Sequence, residues 1–280
     1  GLDAVFCGLP HGTTQEITAA VLAANPKIKI LDMSADFRLR DGATYAEWYG
    51  HEHQAPELQK EAVYGLTELY RKEITAARLV ACPGCYPTAT LLALVPIARA
   101  GLIHADDIIV DAKSGVTGAG RGLKQNTLFS EAGEGLSPYS IGKHRHAPEI
   151  EQEIGAAVGA RVTINFTPHL IPMARGELCT SYVKLNGATA DDLRQALADA
   201  YRDEPFVHVA PKGVVPQTQN VRGSNYVQIG VFPDRIPGRA IVISTLDNLV
   251  KGSAGQAIQN MNLVLGYPET TGLEQIALFP

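Results

Sequence analysis

Cys85 is the residue of this chain whose type and neighbours most clearly indicate covalent chemistry. It lies in the segment Pro-Gly-Cys-Tyr-Pro-Thr, between a predicted strand over 79–81 and a predicted helix with Pro87 at its first position. A thiol at a helix N-terminus faces the positive end of the helix dipole, and its pKa falls. We therefore predict a reactive thiolate that attacks an acyl carbon, with a buried structural cysteine as the alternative.

Cys82 and Cys85 also form a C-x-x-C pair, which is compatible with a zinc site or a redox-active dithiol. A structural zinc site needs two more ligands, and the sequence contains neither a second C-x-x-C pair nor an H-x-x-x-H pair. We predict no metal. Two interpretations of Cys82 remain: a thiol that resolves an oxidised Cys85, or a small buried side chain at the end of the strand.

The acid–base partner is predicted in the segment His144-Arg145-His146-Ala147-Pro148-Glu149. Pro148 is expected to begin a helix, so that His146 precedes the helix and Glu149 lies in its first turn. Glu149 is then placed to orient or stabilise an imidazole, as the acid of a nucleophile–base–orienter set does. The residue types alone do not choose between His144 and His146.

Two further segments carry weaker signals. The glycine-rich turn 113–121 follows a predicted strand. Its backbone N–H groups either line a phosphate or nicotinamide pocket or belong to a flexible loop. Asn248 precedes the last predicted helix, over 253–265, and helix capping is the simplest interpretation of its position.

The elements of the first part of the chain predict a parallel sheet. An apolar strand over 4–7 is followed by a helix that ends near Ala24, and a second strand covers 28–31. Thr13 and Glu16 have the spacing of a capping box at the start of that helix. A strand, a helix and a strand at this spacing form a βαβ unit.

The second part of the chain is richer in strands, which indicates a mostly antiparallel α+β domain. Two helices are predicted among the strands, over 148–157 and 190–202. The predicted strands cover 108–112, 162–166, 178–185, 207–210, 226–232 and 240–246.

Composition limits the function classes. The chain has 280 residues and a net charge of −5, so no basic surface for nucleic acid is expected. The longest apolar stretch is broken by Pro96 and Arg99 and falls short of the ~20 residues of a membrane span. Four cysteines form no disulfide framework. These features predict a globular protein of the cytoplasm that neither enters a membrane nor binds nucleic acid.

Taken together, the motifs resemble those of the N-acetyl-gamma-glutamyl-phosphate reductase family, which is related in architecture to aspartate-semialdehyde dehydrogenases. They occur in family order from one end of the chain to the other. The matching segments are Gly8-Leu9-Pro10-His11-Gly12, Ser34-Ala35-Asp36-Phe37-Arg38, Pro83-Gly84-Cys85-Tyr86-Pro87-Thr88, Lys113 to Arg121, His144 to Glu149, Thr167-Pro168-His169-Leu170 and Asp247 to Gly252.

The resemblance implies an NADP-dependent reduction of N-acetyl-gamma-glutamyl phosphate to the semialdehyde, in arginine biosynthesis, through a thioester on Cys85. It implies that His146 is the acid–base residue and that Glu149 supports it. It places Leu9, Pro10, Ser114, Gly115 and Asn248 near the cofactor. On charge and position alone, the candidates for the carboxylate and phosphate of the substrate are Arg121, His144 and Arg145.

The expected fold class is α/β plus α+β. A partial Rossmann-like dinucleotide-binding domain is expected over 1–84 and 252–280, and a mostly antiparallel catalytic and oligomerisation domain over 85–251. A homo-oligomer, dimer or tetramer, is expected. No Gly-rich strand–loop–helix precedes Ala4, so the chain is expected to lack that N-terminal unit of the family. The family usually has Asn where this chain has Cys82.

Other functions remain open at this point. A related reductase of carrier-linked aminoadipyl phosphate or of aspartyl phosphate fits the same motifs, because substrate choice depends on the pocket. A cysteine hydrolase or acyltransferase would use the same Cys–His pair without hydride transfer. A dinucleotide-sensing regulator is the non-enzyme alternative.

Overall fold

A computed structural model describes residues 1–279, and the backbone divides into two compact units. One unit comprises residues 1–84 and 253–274, and the other comprises residues 85–252 and 275–279. The sequence-based boundary assigned these last residues to the first domain, and the structure differs. The reason is a local contact: Leu278 N–H donates to the carbonyl of Arg222 at 2.8 Å.

The described residues form eleven strands and nine α-helices. The strands are β1 (Ala4–Cys7), β2 (Lys29–Asp32), β3 (Val63–Tyr64), β4 (Leu79–Ala81), β5 (Ile103–Gly115), β6 (Ser137–Pro138), β7 (Asn165–Ile171), β8 (Glu177–Leu185), β9 (Val207–Val209), β10 (Val227–Pro233) and β11 (Arg239–Leu246). The α-helices are α1 (Thr14–Ala24), α2 (Gly42–Tyr49), α3 (Pro56–Glu61), α4 (Thr67–Ala76), α5 (Cys85–Arg99), α6 (Phe129–Ala132), α7 (His146–Val158), α8 (Ala190–Ala200) and α9 (Gly255–Val264). A π-helical turn, Val250–Ala254, precedes α9.

The first unit contains the predicted parallel sheet, in the order β1-β2-β4-β3. One cluster of buried side chains covers one face and includes Leu22 of α1, and a second cluster includes Ala257 of α9. A parallel sheet of this kind is covered on both sides. Because Cys7 pairs with Asp32 and Asp32 pairs with Ala81, β1, β2 and β4 end at the same edge.

The start of α1 differs from the prediction. Thr13 precedes the helix, but its side chain makes no capping hydrogen bond, so the expected capping box with Glu16 does not form. Instead the Asp36 carboxylate accepts the N–H groups of Gly12 at 2.7 Å and of Thr14 at 3.1 Å. The first N–H groups of a helix have no partner within the helix, and here a carboxylate that is distant along the chain accepts them. Asp36 therefore acts as the cap in place of Thr13.

The second unit contains a seven-stranded sheet in the order β6-β7-β5-β8-β11-β10-β9. Its pairs are antiparallel except for β5 with β7 and β10 with β9. The prediction of a mostly antiparallel sheet is therefore confirmed. The strand expected over 162–166 is β7, which begins later, at Asn165.

Helix α5 lies at the centre of the second unit, against α7, α8, β8 and β11. Its residues from Tyr86 to Val95 are all buried, which explains why the segment is apolar on nearly every side. The helix begins at Cys85 and not at Pro87 as predicted. Pro87 is its third residue, where the missing N–H has no helical partner to lose.

Among the described residues, no helix is long and apolar enough to cross a membrane.

Candidate active site

Cys85 is the first residue of α5 and is a free thiol with partial exposure. Gly252 fixes its position, since a Cβ added at Gly252 would lie 2.8 Å from the Cβ of Cys85. Approaches this close exclude any residue with a side chain. A glycine therefore lets the π-helical turn pack directly against the predicted nucleophile.

The predicted fall in the pKa of Cys85 is wrong. Burial raises the pKa of the Cys85 thiol well above its ordinary value, and the negative charge of Glu177 raises it further. A hydrogen bond with the backbone of Tyr86 acts in the opposite direction but is the weaker influence. Cys85 therefore rests as a thiol and not as a thiolate.

Glu177 is the functional candidate that the sequence analysis missed. It is the first residue of β8 and is fully buried. Burial raises the pKa of its carboxyl group to about 8, and the charge of Asp247 acts in the same direction, while the Cys85 thiol lowers the pKa. The available signal was strand alternation, because Glu177 shares the inward face of β8 with Cys179, Ser181 and Val183.

His146 packs against Tyr86, the residue after Cys85, within a cluster of aromatic rings. It is the first residue of α7 and not the residue before the helix, as predicted. Its ring lies 5.8 Å from the Tyr86 ring and 4.6 Å from the His144 ring, between centroids. Glu149 follows in the first turn of α7, as predicted, and is buried.

His144 has a structural contact that separates it from His146. Its Nδ1 accepts the backbone N–H of His146 at 3.1 Å, at the start of α7. Burial, with the charge of Arg145, lowers the pKa of His144 to about 4. His144 is therefore neutral near pH 7, and the charge argument that made it a ligand for substrate anions does not apply.

The other substrate candidates remain at the surface. Arg145 is exposed and immediately precedes α7. Arg121 is exposed and lines an open cavity of about 410 Å³ together with Lys124 and Thr117. Both arginines are accessible to an anion.

Several N–H groups of the glycine-rich turn are engaged within its own unit. The N–H of Gly115 donates to Gly176 O at 2.9 Å, and the N–H of Val116 donates to Met173 O at 2.9 Å. Ser114 is fully buried, and its hydroxyl donates to Gly115 O at 3.1 Å. Close packing within the unit explains Gly115 and Gly118, since a Cβ on Gly115 would lie 2.8 Å from Ala174 O and one on Gly118 would lie 2.5 Å from Ser114 Oγ.

Asn248 does not cap the last helix. Its Oδ1 accepts the N–H of Gly176 at 2.8 Å, and its Nδ2 donates to Thr117 Oγ1 at 3.0 Å. The neighbouring Asp247 accepts the N–H groups of Leu249 and Val250 instead. Asn248 thus holds the turn after β5 against the residue that precedes Glu177.

The loop that contains Leu9 and Pro10 leaves the carboxyl edge of the parallel sheet. Both residues are exposed, and a Cβ on Gly8 would meet nothing within 4 Å. Ligands of parallel α/β sheets bind outside the carboxyl ends of the strands. The open apolar loop and the turn held by Asp36 therefore fit a dinucleotide at this edge.

Cys82 is a small buried side chain in the structure. It is 2% exposed, and the Nδ2 of Asn260 lies 3.7 Å from its sulfur. Burial raises the pKa of its thiol to about 12. These contacts support the structural interpretation of Cys82 over the redox one.

Comparison with known proteins agrees with both units. The family described as semialdehyde dehydrogenase, NAD binding domain, matches residues 1–77, and the semialdehyde dehydrogenase dimerisation domain matches residues 85–248. A probable chloroplastic N-acetyl-gamma-glutamyl-phosphate reductase of Arabidopsis thaliana is 60% identical over the whole chain, which covers 69% of that protein. The N-acetyl-gamma-glutamyl-phosphate reductase of Rhodospirillum rubrum is 58% identical, again over the whole chain and 80% of the relative.

This chain belongs to the N-acetyl-gamma-glutamyl-phosphate reductase family. The predicted family is confirmed, and so is the predicted class, an NADP-dependent oxidoreductase.

Solved structures confirm the fold class. Aspartate semialdehyde dehydrogenase II from Vibrio cholerae superposes with a TM-score of 0.69 at 17% identity, covering 94% of this chain and 79% of that one. The Candida albicans aspartate semialdehyde dehydrogenase with NADP gives 0.62 at 14% identity, covering 94% and 77%. At this identity the similarity shows a shared fold, a Rossmann-like domain with a dimerisation domain.

Proposed function

We propose that this chain reduces N-acetyl-gamma-glutamyl phosphate with NADPH, forms N-acetylglutamate 5-semialdehyde and releases phosphate. The observation that carries the proposal is the partly exposed Cys85 at the start of the buried helix α5, with His146 brought to its neighbour Tyr86. A thiol in this position can form a thioester with the acyl group.

The roles follow from chemistry. The Cys85 sulfur attacks the acyl carbon as its proton passes to His146, phosphate leaves with the electron pair of the broken C–O bond, and the thioester keeps the acyl group reactive. His146 acts at the acyl oxygen, where in its protonated form it donates to the developing negative charge. Glu149, buried in the first turn of α7, supports the orientation of His146.

NADPH supplies hydride to the acyl carbon when bound. We assign Leu9 and Pro10, in the unit formed by residues 1–84 and 253–274, to a loop near the cofactor. Ser114, Gly115 and Asn248 belong to the catalytic unit. Their polar groups are largely engaged within that unit, and we propose that they shape its surface for the cofactor.

Arg121 and Arg145 are the proposed ligands for the carboxylate and phosphate of the substrate, because both are exposed cations of the catalytic unit. His144 contributes packing and a hydrogen bond to α7 in place of charge. The match to a dimerisation domain supports a homo-oligomer. A cytoplasmic location stays a prediction, since the Arabidopsis relative is described as chloroplastic.

The test is substrate-dependent oxidation of NADPH, followed by absorbance, with release of phosphate in equal amount. Cys85→Ser should lose on the order of 10³-fold or more in kcat, because an alcohol supplies almost no alkoxide near neutral pH. Phosphate release without NADPH oxidation would indicate a hydrolase or acyltransferase instead. Aspartyl phosphate serves as the control substrate and should be used far more slowly.

A further inference from the structure

Arg175 is an arginine that none of the roles above uses. It lies in the loop between β7 and β8, and its side chain is 44% exposed. Its ion-pair partner is Asp247, whose Oδ2 lies 3.7 Å from the Arg175 Nη1. This separation exceeds the roughly 2.7–3.2 Å of an N–H···O hydrogen bond. The guanidinium is therefore held beside a carboxylate without being hydrogen-bonded to it.

The carboxylate of Asp247 takes its hydrogen bonds from the backbone. It is fully buried and accepts the N–H groups of Gly223 at 2.6 Å, of Leu249 at 2.8 Å and of Val250 at 3.1 Å. Asp247 is thus satisfied without a donor from Arg175. The N–H groups of the half-exposed guanidinium remain available to an acceptor that arrives from solvent, and no hydrogen bond within the protein has to break when it binds.

The loop that carries Arg175 is fixed on both sides of the residue. The N–H of Gly176 donates to the Oδ1 of Asn248 at 2.8 Å. The carbonyl oxygen of Ala174 accepts the hydroxyl of Thr117 at 2.6 Å. A residue whose backbone is held in this way loses little conformational entropy when its side chain binds a ligand. The loop therefore presents a cation in a defined place.

Asp247 also connects Arg175 to the nucleophile. It directly follows β11, and its carbonyl oxygen accepts the N–H of Gly252 at 3.0 Å. Gly252 in turn packs against Cys85, since a Cβ added at Gly252 would lie 2.8 Å from the Cβ of Cys85. A single turn of chain, 247–252, therefore has the nucleophile at one end and the partner of Arg175 at the other.

We propose that Arg175 binds the carboxylate of N-acetyl-gamma-glutamyl phosphate while the acyl carbon of the substrate lies at Cys85. This proposal rests on the proposed function and narrows it, because Arg121 and Arg145 then remain for the phosphate. The phosphate is attached to the reacting carbon itself, whereas a chain of three carbons separates the carboxylate from that carbon. A cation that is one turn of chain away from Cys85 suits the carboxylate and not the phosphate.

The chemistry of the side chain matches this role. The planar guanidinium can donate two parallel hydrogen bonds to the two oxygens of a carboxylate, which a lysine ammonium cannot do in the same geometry. Asp247 lies on the buried side of the guanidinium and orients it from there. Arg175 is therefore a specificity-determining residue, which favours substrates with a free carboxylate over those in which this group is neutral.

The first experiment measures steady-state kinetics of Arg175→Gln. We expect kcat/KM for N-acetyl-gamma-glutamyl phosphate to fall about 10- to 10²-fold, mainly through KM, because a charge-assisted contact to the substrate is lost. Arg175→Lys should lose less, since it keeps the charge and lacks the fork. Arg202→Gln is the matched control. Arg202 is an exposed arginine of the same unit that pairs with Asp199, and its variant should behave like wild type.

The second experiment uses a substrate analogue in which a neutral amide replaces the carboxylate. Wild type should use this analogue about 10- to 10²-fold less efficiently than the substrate. Arg175→Gln should use the two compounds with similar kcat/KM, because the charge is already missing from the protein. A residue that only stabilised the loop would instead lower kcat/KM for both compounds by the same factor.

The third experiment measures binding without catalysis, by calorimetric titration with N-acetylglutamine. This compound has the same carboxylate and a neutral amide in place of the acyl phosphate. Arg175→Gln should bind it about tenfold or more weakly than wild type does. If binding depends on Arg175 but wild type oxidises no NADPH, the proposed function is wrong and the carboxylate site stands. If wild type oxidises NADPH and both proteins bind N-acetylglutamine equally, or neither binds it, the carboxylate site is wrong.

Two kinetic results would overturn the proposal. One is a kcat/KM of Arg175→Gln within about threefold of wild type, and the other is an equal loss for the substrate and for its amide analogue. Thermal unfolding of Arg175→Gln should be close to that of wild type, because half-exposed ion pairs contribute little to stability. If Arg175→Gln does not fold, Arg175→Lys replaces it, and its loss must still be larger for the substrate than for the analogue.

Discussion

Two opposing influences act on the pKa of the Cys85 thiol. The start of α5 offers a favourable helix dipole, which typically contributes about 0.3–1 kcal/mol and at most ~2 kcal/mol. Burial of the thiol and the adjacent carboxylate of Glu177 outweigh it, so the pKa of Cys85 rises. A nucleophile that rests as a thiol is less exposed to oxidation between turnovers. It also needs a base at the moment of attack.

Substitution of the two histidines should separate catalysis from structure. His146→Asn should lower kcat about 10²–10⁴-fold with little loss of stability, as expected for an acid–base residue. His144→Asn should lower kcat less and reduce thermal stability, because the His144 ring accepts the first N–H of α7 and packs among aromatic rings. Kinetics at saturating substrate and thermal unfolding are the measurements. A slower His144 variant would reverse the assignment.

The cysteines should differ in reactivity in the native protein. Cys85 is partly exposed, whereas Cys82 is buried with its thiol pKa raised to about 12. Limited alkylation near neutral pH should therefore label Cys85 first and leave Cys82 unmodified until the protein unfolds. Peptide mass spectrometry checks the order. Equal labelling of both thiols would restore the redox interpretation of Cys82.

At the scale of elements, local patterns predicted most of the architecture. Apolar runs located β1, β8, β10 and β11 to within about a residue, because strand alternation and β-propensity are properties of neighbours in sequence. The apolar segment after Cys85 predicted a buried helix for the same reason. The sequence predicted the starts of α5 and α7 two residues later than the structure has them. A proline was taken as the first residue of each helix, whereas proline is accepted anywhere in a first turn.

What the sequence missed depends on residues that are distant along the chain. Asp36 caps α1 from 22 residues away, and Asn248 bonds Gly176 across 72 residues. Glu177 owes its raised pKa mainly to burial by elements that are distant along the chain. Local spacing carries no information about such pairs, so the capping box at Thr13 and the cap at Asn248 were both wrong. A charged residue on the inward face of a strand was the one local sign.

Asp36 should control cofactor binding through the loop it holds. Asp36→Asn loses one charged acceptor for Gly12 and Thr14 and disturbs the hydrogen bond from Tyr45. We expect a loss of about 1–2 kcal/mol in stability. We also expect a clear rise in KM for NADPH, with kcat nearly unchanged. Steady-state kinetics with varied NADPH provides the measurement.

Asp41→Asn is the matched control for that prediction. Asp41 caps α2 in the same unit by accepting the N–H of Thr44 at 2.8 Å, and it is exposed. It should change stability slightly and leave KM for NADPH unaltered. If Asp41→Asn raised KM as much as Asp36→Asn, the effect would reflect general loosening of the unit and not the loop at Leu9.

At the scale of the whole molecule, the two units differ in what they bury. The first unit buries a parallel sheet between two apolar clusters and keeps its open loop at one edge. The second surrounds α5 with helices and strands and still retains Glu177, Ser181 and Ser244 inside without hydrogen-bond partners among the described residues. The second unit therefore keeps a buried carboxyl group in its interior, and burial of such a group lowers stability when the group ionises.

That cost should appear as a dependence of global stability on pH. The pKa of Glu177 is raised from 4.5 in an unperturbed carboxyl to about 8 in the folded protein, so the folded state binds its proton more tightly than the unfolded state does. Stability from this group is complete below about pH 4.5, declines as pH rises toward 8, and is constant above that. Glu177→Gln removes the decline. The variant should therefore gain stability relative to wild type between pH 5 and pH 9, by as much as a few kcal/mol. Thermal unfolding of both proteins at pH 5 and pH 9 measures the difference in stability between the variant and wild type. If this difference stays constant or becomes smaller toward pH 9, Glu177 is ionised in the folded protein at pH 5.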